Sequence, residues 1–149
     1  MSDVEAAPPV ALVVTGVSDA GVLAGTLRLA GAVLPRGSTA VPTRGGAVVT
    51  AHVDRAGAEG LAASVSHVLR GVPVLLLARE GSQLSASRWA DGRQGAPVVP
   101  GLVMSSLDDT VEGLLLGRRT PADVEGAIDV WRLGRWRAAR LVAAARRSR

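Results

Sequence analysis

Residues 46–81 constrain this chain more than any other stretch. They hold an apolar, β-branched run at 47–53 (AVVTAHV), then a helical period through Leu61, Val65, Val68 and Leu69. Arg70-Gly71 closes the helix as a C-cap pair, and 72–78 (VPVLLLA) is a second unbroken apolar run. Strand-sized apolar runs without polar alternation are strands buried on both faces. The segment therefore predicts strand, turn, helix, strand, with the odd choice of His52 near the end of the first strand.

The same grammar recurs upstream. Residues 10–15 (VALVVT) form a buried strand ended by Gly16. Ser18 or Asp19 can cap a helix running to about Leu34, with Val22, Leu23, Leu27, Ala30 and Leu34 on one face. Gly21, Gly25 and Gly31 weaken that helix by up to ~1 kcal/mol each unless they allow close packing. Pro35-Arg36-Gly37 is a stop, residues 38–43 a short strand that Pro42 confines to an edge, and Gly45-Gly46 a turn. Residues 81–97 are Ser-, Gly- and Gln-rich around a lone Trp89, and 97–99 could add one short strand. A helix over about 106–116 has Asp108 and Asp109 at its positive end. Thr120-Pro121-x-Asp123 starts another, whose stripe of Val124, Ile128, Trp131, Ala138, Leu141, Val142 and Ala145 runs to the end with a bend at Gly134.

Alternating strands and helices predict a single α/β domain over residues 10–117. Its sheet is expected to be mostly parallel and flanked by helices, in the flavodoxin-like manner. Residues 1–9 read as a disordered leader and 118–149 as an Arg-rich helical extension. One step departs from the alternation: at 35–46 two strands follow each other without a helix. That step admits an alternative, a ferredoxin-like βαββαβ order. Strand order separates the two, 2-1-3-4-5 for the first and an antiparallel 4-1-3-2 for the second.

Composition narrows the chemistry. Apolar residues make up 48% of the chain, yet there is no Phe or Tyr and only three Trp, so the core must be aliphatic. With no Cys, disulfides, thiolate metal sites and cysteine nucleophiles are excluded. All 17 basic residues are Arg, the usage of a GC-rich bacterial genome. The acidic start lacks the n-region of a signal peptide, and no apolar run reaches the ~18–20 residues of a membrane span. A cytoplasmic protein is expected.

Catalytic patterns are weak. Thr15-Gly16-Val17-Ser18-Asp19-Ala20-Gly21 sits where a dinucleotide fingerprint would, but its glycine spacing is wrong. His52, Asp54 and His67 do not show the three convergent ligands of a catalytic zinc. Ser64 and His67 lie one helical turn apart without a nucleophile elbow around the serine. No metal, no cofactor and no catalytic residue is assigned, and the chain leans away from enzymes.

The stretch 46–81 resembles the middle of a response-regulator receiver domain. His52-Val53-Asp54-Arg55-Ala56-Gly57-Ala58-Glu59-Gly60 is similar to the loop after a receiver's third strand, and Val72-Pro73-Val74-Leu75-Leu76-Leu77 to its fourth strand. The resemblance implies a degenerate pocket: Thr15 and Gly16 stand at the acidic pair, His52 at the phosphate acceptor with Asp54 beside it, and Ala78 at the switch residue. The Lys after the fifth strand cannot exist here. It implies a pseudo-receiver, a regulatory module of signal transduction that works by protein–protein contact and self-association into a homo-oligomer. The βαββαβ alternative is similar to bacterial microcompartment shell domains and small ligand-binding regulatory domains, and implies a self-assembling shell or ligand-binding oligomer. A small enzyme with an unrecognised site is the remaining alternative.

Charge is uneven. Residues 118–149 hold nine Arg against three acids, a balance of +6 within a chain whose net charge is +4. Three readings compete for this tail. The favoured one is a helix whose apolar stripe docks on the body with its arginines merely solvated; the others are a nucleic-acid arm, and attachment to a protein partner or an anionic membrane surface. In the last two, Arg132, Arg135, Arg137, Arg140, Arg146 and Arg147 are the candidates for binding the anionic partner.

Overall fold

The computed structural model describes residues 8–147. Its chain order is β1 (Val10–Val14), α1 (Ala20–Leu29), β2 (Thr39–Val41), β3 (Val48–Ala51), α2 (Arg55–Val68) and β4 (Val74–Glu80). Then come β5 (Gln83–Ala90), β6 (Arg93–Val98), α3 (Pro100–Met104), α4 (Asp109–Leu115), a 3₁₀ turn (Pro121–Asp123), β7 (Ile128–Asp129) and α5 (Arg135–Arg147).

All seven strands join one sheet in the order β6-β5-β4-β1-β3-β2-β7, and every neighbouring pair is antiparallel. This corrects the expected mostly parallel, flavodoxin-like sheet. The four central strands run β4-β1-β3-β2 with α1 and α2 as the crossovers, which is the 4-1-3-2 order of the βαββαβ arrangement. The physical reason lies in residues 35–46: β2 and β3 pair as a hairpin, Thr39 opposite Thr50 and Val41 opposite Val48, so β3 returns alongside β1 in the opposite sense. Gly46 makes that return possible. Its φ of +120° is open only to glycine, and a Cβ there would stand 2.8 Å from Thr15 O.

The sheet then grows at both edges. Glu80 and Gln83 pair across a tight turn, and Asp91-Gly92, both at positive φ, close the next hairpin onto Arg93. Residues 81–97 are therefore two strands. Trp89 is buried, its Nε1 donating to Ser87 Oγ at 3.0 Å. At the other edge β7 pairs with β2, so the strand carrying residues 39–41 is interior, with Pro42 just beyond it.

Alternation along the strands builds two cores. Ala11, Val13, Val49 and Leu76 face α1 and α2 along with Leu23, Leu27, Leu61 and Val65. Val10, Leu12, Val48 and Leu77 face the other way and meet Val111, Leu114 and Leu115 of α4. Local signals hold: Asp19 caps α1 by accepting from Gly21 N (2.7 Å) and Val22 N (3.2 Å), Asp54 caps α2 and Asp108 caps α4.

The segment after residue 117 is not one helix. Thr120-Pro121-x-Asp123 starts only a single 3₁₀ turn, residues 128–129 pair into the sheet, and α5 begins after Gly134. Val130, Leu133 and Ala138 belong to the same core as α1 and α2. Residues 1–7 of the expected leader lie outside the described residues, as do 148–149. Among the described residues no helix is long and apolar enough to cross a membrane.

Candidate anion-binding surface

The antiparallel sheet separates the residues of the receiver-like pocket. Thr15 and Gly16 follow β1 at one end of the sheet, next to Ala47. His52 and Asp54 follow β3, which runs the other way, and so lie at the opposite end. Ala78 is a buried strand residue paired with Ala11.

Each has a local task. Thr15 is buried; its Oγ1 donates to Ala47 O at 2.7 Å and accepts from Val17 N, which ties β1 to the start of β3. Exposed His52 has Nδ1 3.3 Å from Pro9 O, and Asp54 accepts from Gly57 N at 2.9 Å. His67 sits exposed in the last turn of α2, and Ser64 Oγ donates to Val33 O at 2.7 Å. Among the described residues no three metal-binding side chains converge.

The arginines are placed differently. α5 lies along α1, and Gly25 decides how closely: its would-be Cβ stands 2.8 Å from Ala138 O and 3.0 Å from Val142 Cγ2. At Gly21 the nearest α5 atom is Leu141 Cδ2, at 3.3 Å. Two glycines four apart thus give α1 a flat strip on which α5 seats Ala138, Leu141 and Val142. With that side of α5 fixed, Arg135, Trp136, Arg137, Arg140, Arg146 and Arg147 are exposed. Trp136 is 86% exposed, the most open large apolar side chain among the described residues. By helical spacing Trp136 and Arg140 lie one turn apart on the outward line, with Arg147 further along it.

The turn ahead of α5 continues the surface. Asp129 Oδ1 accepts from Trp131 N and Arg132 N, fixing both residues where β7 ends, and its other oxygen is 3.9 Å from Arg132 Nε. Trp131 is half-exposed, its Nε1 donates to Leu34 O at 3.1 Å, and the Arg36 guanidinium sits 5.5 Å from the ring centroid. Arg28 Nε donates to Leu133 O at 2.9 Å. Arg28 and Trp131 also border a cleft of about 310 Å³, with Leu27, Gly31, Ala32, Leu34 and Val130. Among the described residues, Arg135, Arg137 and Arg140 form no ion pair.

Sequence reasoning picked out Arg132 and the α5 arginines. It missed Arg28, Arg36 and Arg79. Arg79 is 2% exposed and donates to the carbonyls of Leu115 (2.6 Å), Gly81 (3.2 Å) and Pro8 (3.2 Å). Three carbonyls, one of them at the C-terminal end of α4, satisfy a buried cation whose role is to bind that helix to the sheet. Its signal was an Arg breaking the end of the apolar run at 72–78.

Two carboxyls sit below their ordinary range. At Asp108 burial opposes ionisation, but hydrogen bonds from the Val111, Arg44 and Gly45 amides and the Thr43 side chain outweigh it. At Asp123 the Thr120 amide and hydroxyl hold the carboxylate ionised. Asp108 caps α4 and Asp123 closes the 3₁₀ turn, and neither touches the arginines of α5. No protein-family model matches the chain, and neither a curated protein nor a solved structure shows significant similarity to it.

Proposed function

We propose that this chain is a binding module whose βαββαβ sheet serves as a rigid platform for α5, and that the outer face of α5 recognises an anionic partner. The observation that carries this reading is the seating of α5 on Gly21 and Gly25, which commits its apolar side inward and its arginines outward. Clustered cations carried on a rigid element raise the local concentration of a polyanion and speed its encounter. The guanidinium fork also suits phosphate, sulfate or carboxylate oxygens.

The regulatory pseudo-receiver role is not carried forward. The receiver-like pocket needs a parallel sheet to gather its residues, and the antiparallel pairing puts Thr15 and Gly16 at the end of the sheet opposite His52, Asp54 and Ala78. A lipid surface fits poorly as the partner, because Ala138, Leu141 and Val142 are turned toward α1 and the two exposed indoles, Trp131 and Trp136, offer no continuous apolar face.

The test is retention on a heparin column, read as the salt concentration of elution. Replacing Arg132, Arg135, Arg137 and Arg140 together by Gln should abolish retention and leave the thermal midpoint nearly unchanged, because each side chain is exposed. Equal retention of the quadruple variant would refute the surface.

A further inference from the structure

We infer that the partner is a single-stranded nucleic acid, with one base stacked on Trp136 and another entering the cleft beside Trp131. This rests on the anion-binding reading above and adds what charge alone does not explain.

Two tryptophans on one short stretch are left open to solvent in a chain that has only three. The third, Trp89, is buried and hydrogen-bonded, so burying indole rings is within this fold's means. Trp136 has small neighbours on its own helix at Ala139 and Ala143, which leaves a flat ring accessible between arginines. Sequence-tolerant binders of unpaired strands combine these two parts, cations that follow the backbone and aromatic rings that stack on bases.

The cleft adds a second subsite. Its volume of about 310 Å³ falls at the lower end of the ~300–1,000 Å³ common for small-molecule sites. Its walls combine Leu27, Ala32, Leu34, Val130 and the Trp131 indole with Gly31, polar and apolar surface in similar measure, and its one charged side chain is Arg28. An open slot of mixed polar and apolar lining with a single cation at its rim suits a flat heteroaromatic ring attached to a phosphate. A base held in a duplex could not enter it. Arg36 above Trp131, Arg132 next in the chain and Arg135 at the start of α5 then supply phosphate contacts between the subsites. Gly134 at the head of α5 has no side chain to cap the first-turn amides, which adds positive potential there.

The test uses intrinsic fluorescence of the full chain, since buried Trp89 contributes a constant background. An oligothymidylate of about 15 nucleotides, the upper end of site sizes for such surfaces, should quench emission. A duplex of the same length and polyglutamate should bind at least about tenfold more weakly. Trp136→Ala should weaken oligothymidylate binding by roughly 5- to 150-fold, the range for one lost stack. In Trp136→Phe, where only Trp89 and Trp131 emit, quenching should persist and so report the cleft. With about four phosphates neutralised, affinity should fall about 50-fold between about 50 and 200 mM salt.

Equal binding of oligothymidylate, duplex and polyglutamate, or a silent Trp136→Ala, would overturn the single-strand proposal and leave the arginine surface standing. Unquenched emission in Trp136→Phe at saturation would overturn the cleft subsite. Failure of all three polymers, together with no heparin retention, would overturn the anion-binding reading itself.

Discussion

Substituting Gly25 by Ala tests the contact on which the exposed face of α5 depends. A Cβ at this position would lie 2.8 Å from the Ala138 carbonyl oxygen, 3.0 Å from Val142 Cγ2 and 3.5 Å from the Ala138 carbonyl carbon. The first is a clash with backbone, which no rotamer change relieves, so α5 must move away as a unit. Overpacking of this kind costs about 1–3 kcal/mol. Against it stands the helix preference of Ala over Gly, about 0.8–1 kcal/mol. The same swap at Gly60 isolates that gain, because Gly60 is an exposed residue of α2 with nothing within 4 Å of its would-be Cβ. The difference between the two variants is then the clash alone, about 1–3 kcal/mol, or roughly 2–12 °C in thermal midpoint for a domain of this size. Thermal unfolding followed by circular dichroism measures it. Gly60→Ala should raise the midpoint and Gly25→Ala should fail to do so or lower it. If both variants rise equally, α5 is not seated on α1 as described, and the orientation of its arginines loses its basis.

Leu77 is 1% exposed in the core beneath α4, so Leu77→Ala should cost about 2–5 kcal/mol in chemical denaturation, whereas half-buried Leu75 should cost less. Arg79→Ala should destabilise by about 2–4 kcal/mol, combining lost side-chain packing with the buried Leu115 carbonyl left without its donor; an unchanged midpoint would show that the guanidinium does not hold α4. The lowered pKa of Asp108 makes its stabilisation complete above the ordinary value of 3.8 and lost as pH falls through the folded value, so Asp108→Asn should flatten the pH dependence of stability on the acid side and leave the slope near neutrality alone. Incubation with a small phosphodonor and Mg²⁺ should leave the mass unchanged, since His52 and Asp54 stand at the opposite end of the sheet from Thr15 and Gly16; a stable adduct would contradict that separation.

Much of the fold was legible one element at a time. The runs at 10–15, 47–53 and 72–78 are β1, β3 and β4, and capping, being local, placed the helix starts well. α2 ends at Val68, close to its expected end, but α1 stops at Leu29, short of the expected Leu34, where Gly31 takes a positive φ. Strand direction was not legible in the same way. Parallel and antiparallel sheets buried on both faces share one apolar pattern, and only the helix-free step at 35–46 distinguished them. The β5–β6 hairpin was missed although Asp91-Gly92 is a strong two-residue turn signal. The polar residues around it read as loop because five of the six positions of β6 are exposed.

The site divides along the same line. The arginines of residues 132–147 were legible because charge is counted without a fold, and their exposure followed once an apolar stripe had to go inward. The cleft was not, because it joins Leu34 to Trp131 across 97 residues and places Arg28 and Arg36 beside a tail that sequence treats separately. The glycines of α1 connect the two scales. By propensity Gly21 and Gly25 are defects in a helix, each favouring the unfolded chain. In the folded molecule a Cβ at either would meet α5 or the turn feeding it, and at Gly25 it would strike backbone. A helix that accepts this weakness gains a neighbour at close range, with its rotation fixed. The same two residues that lower the intrinsic stability of α1 therefore decide which way Trp136 and the arginines point.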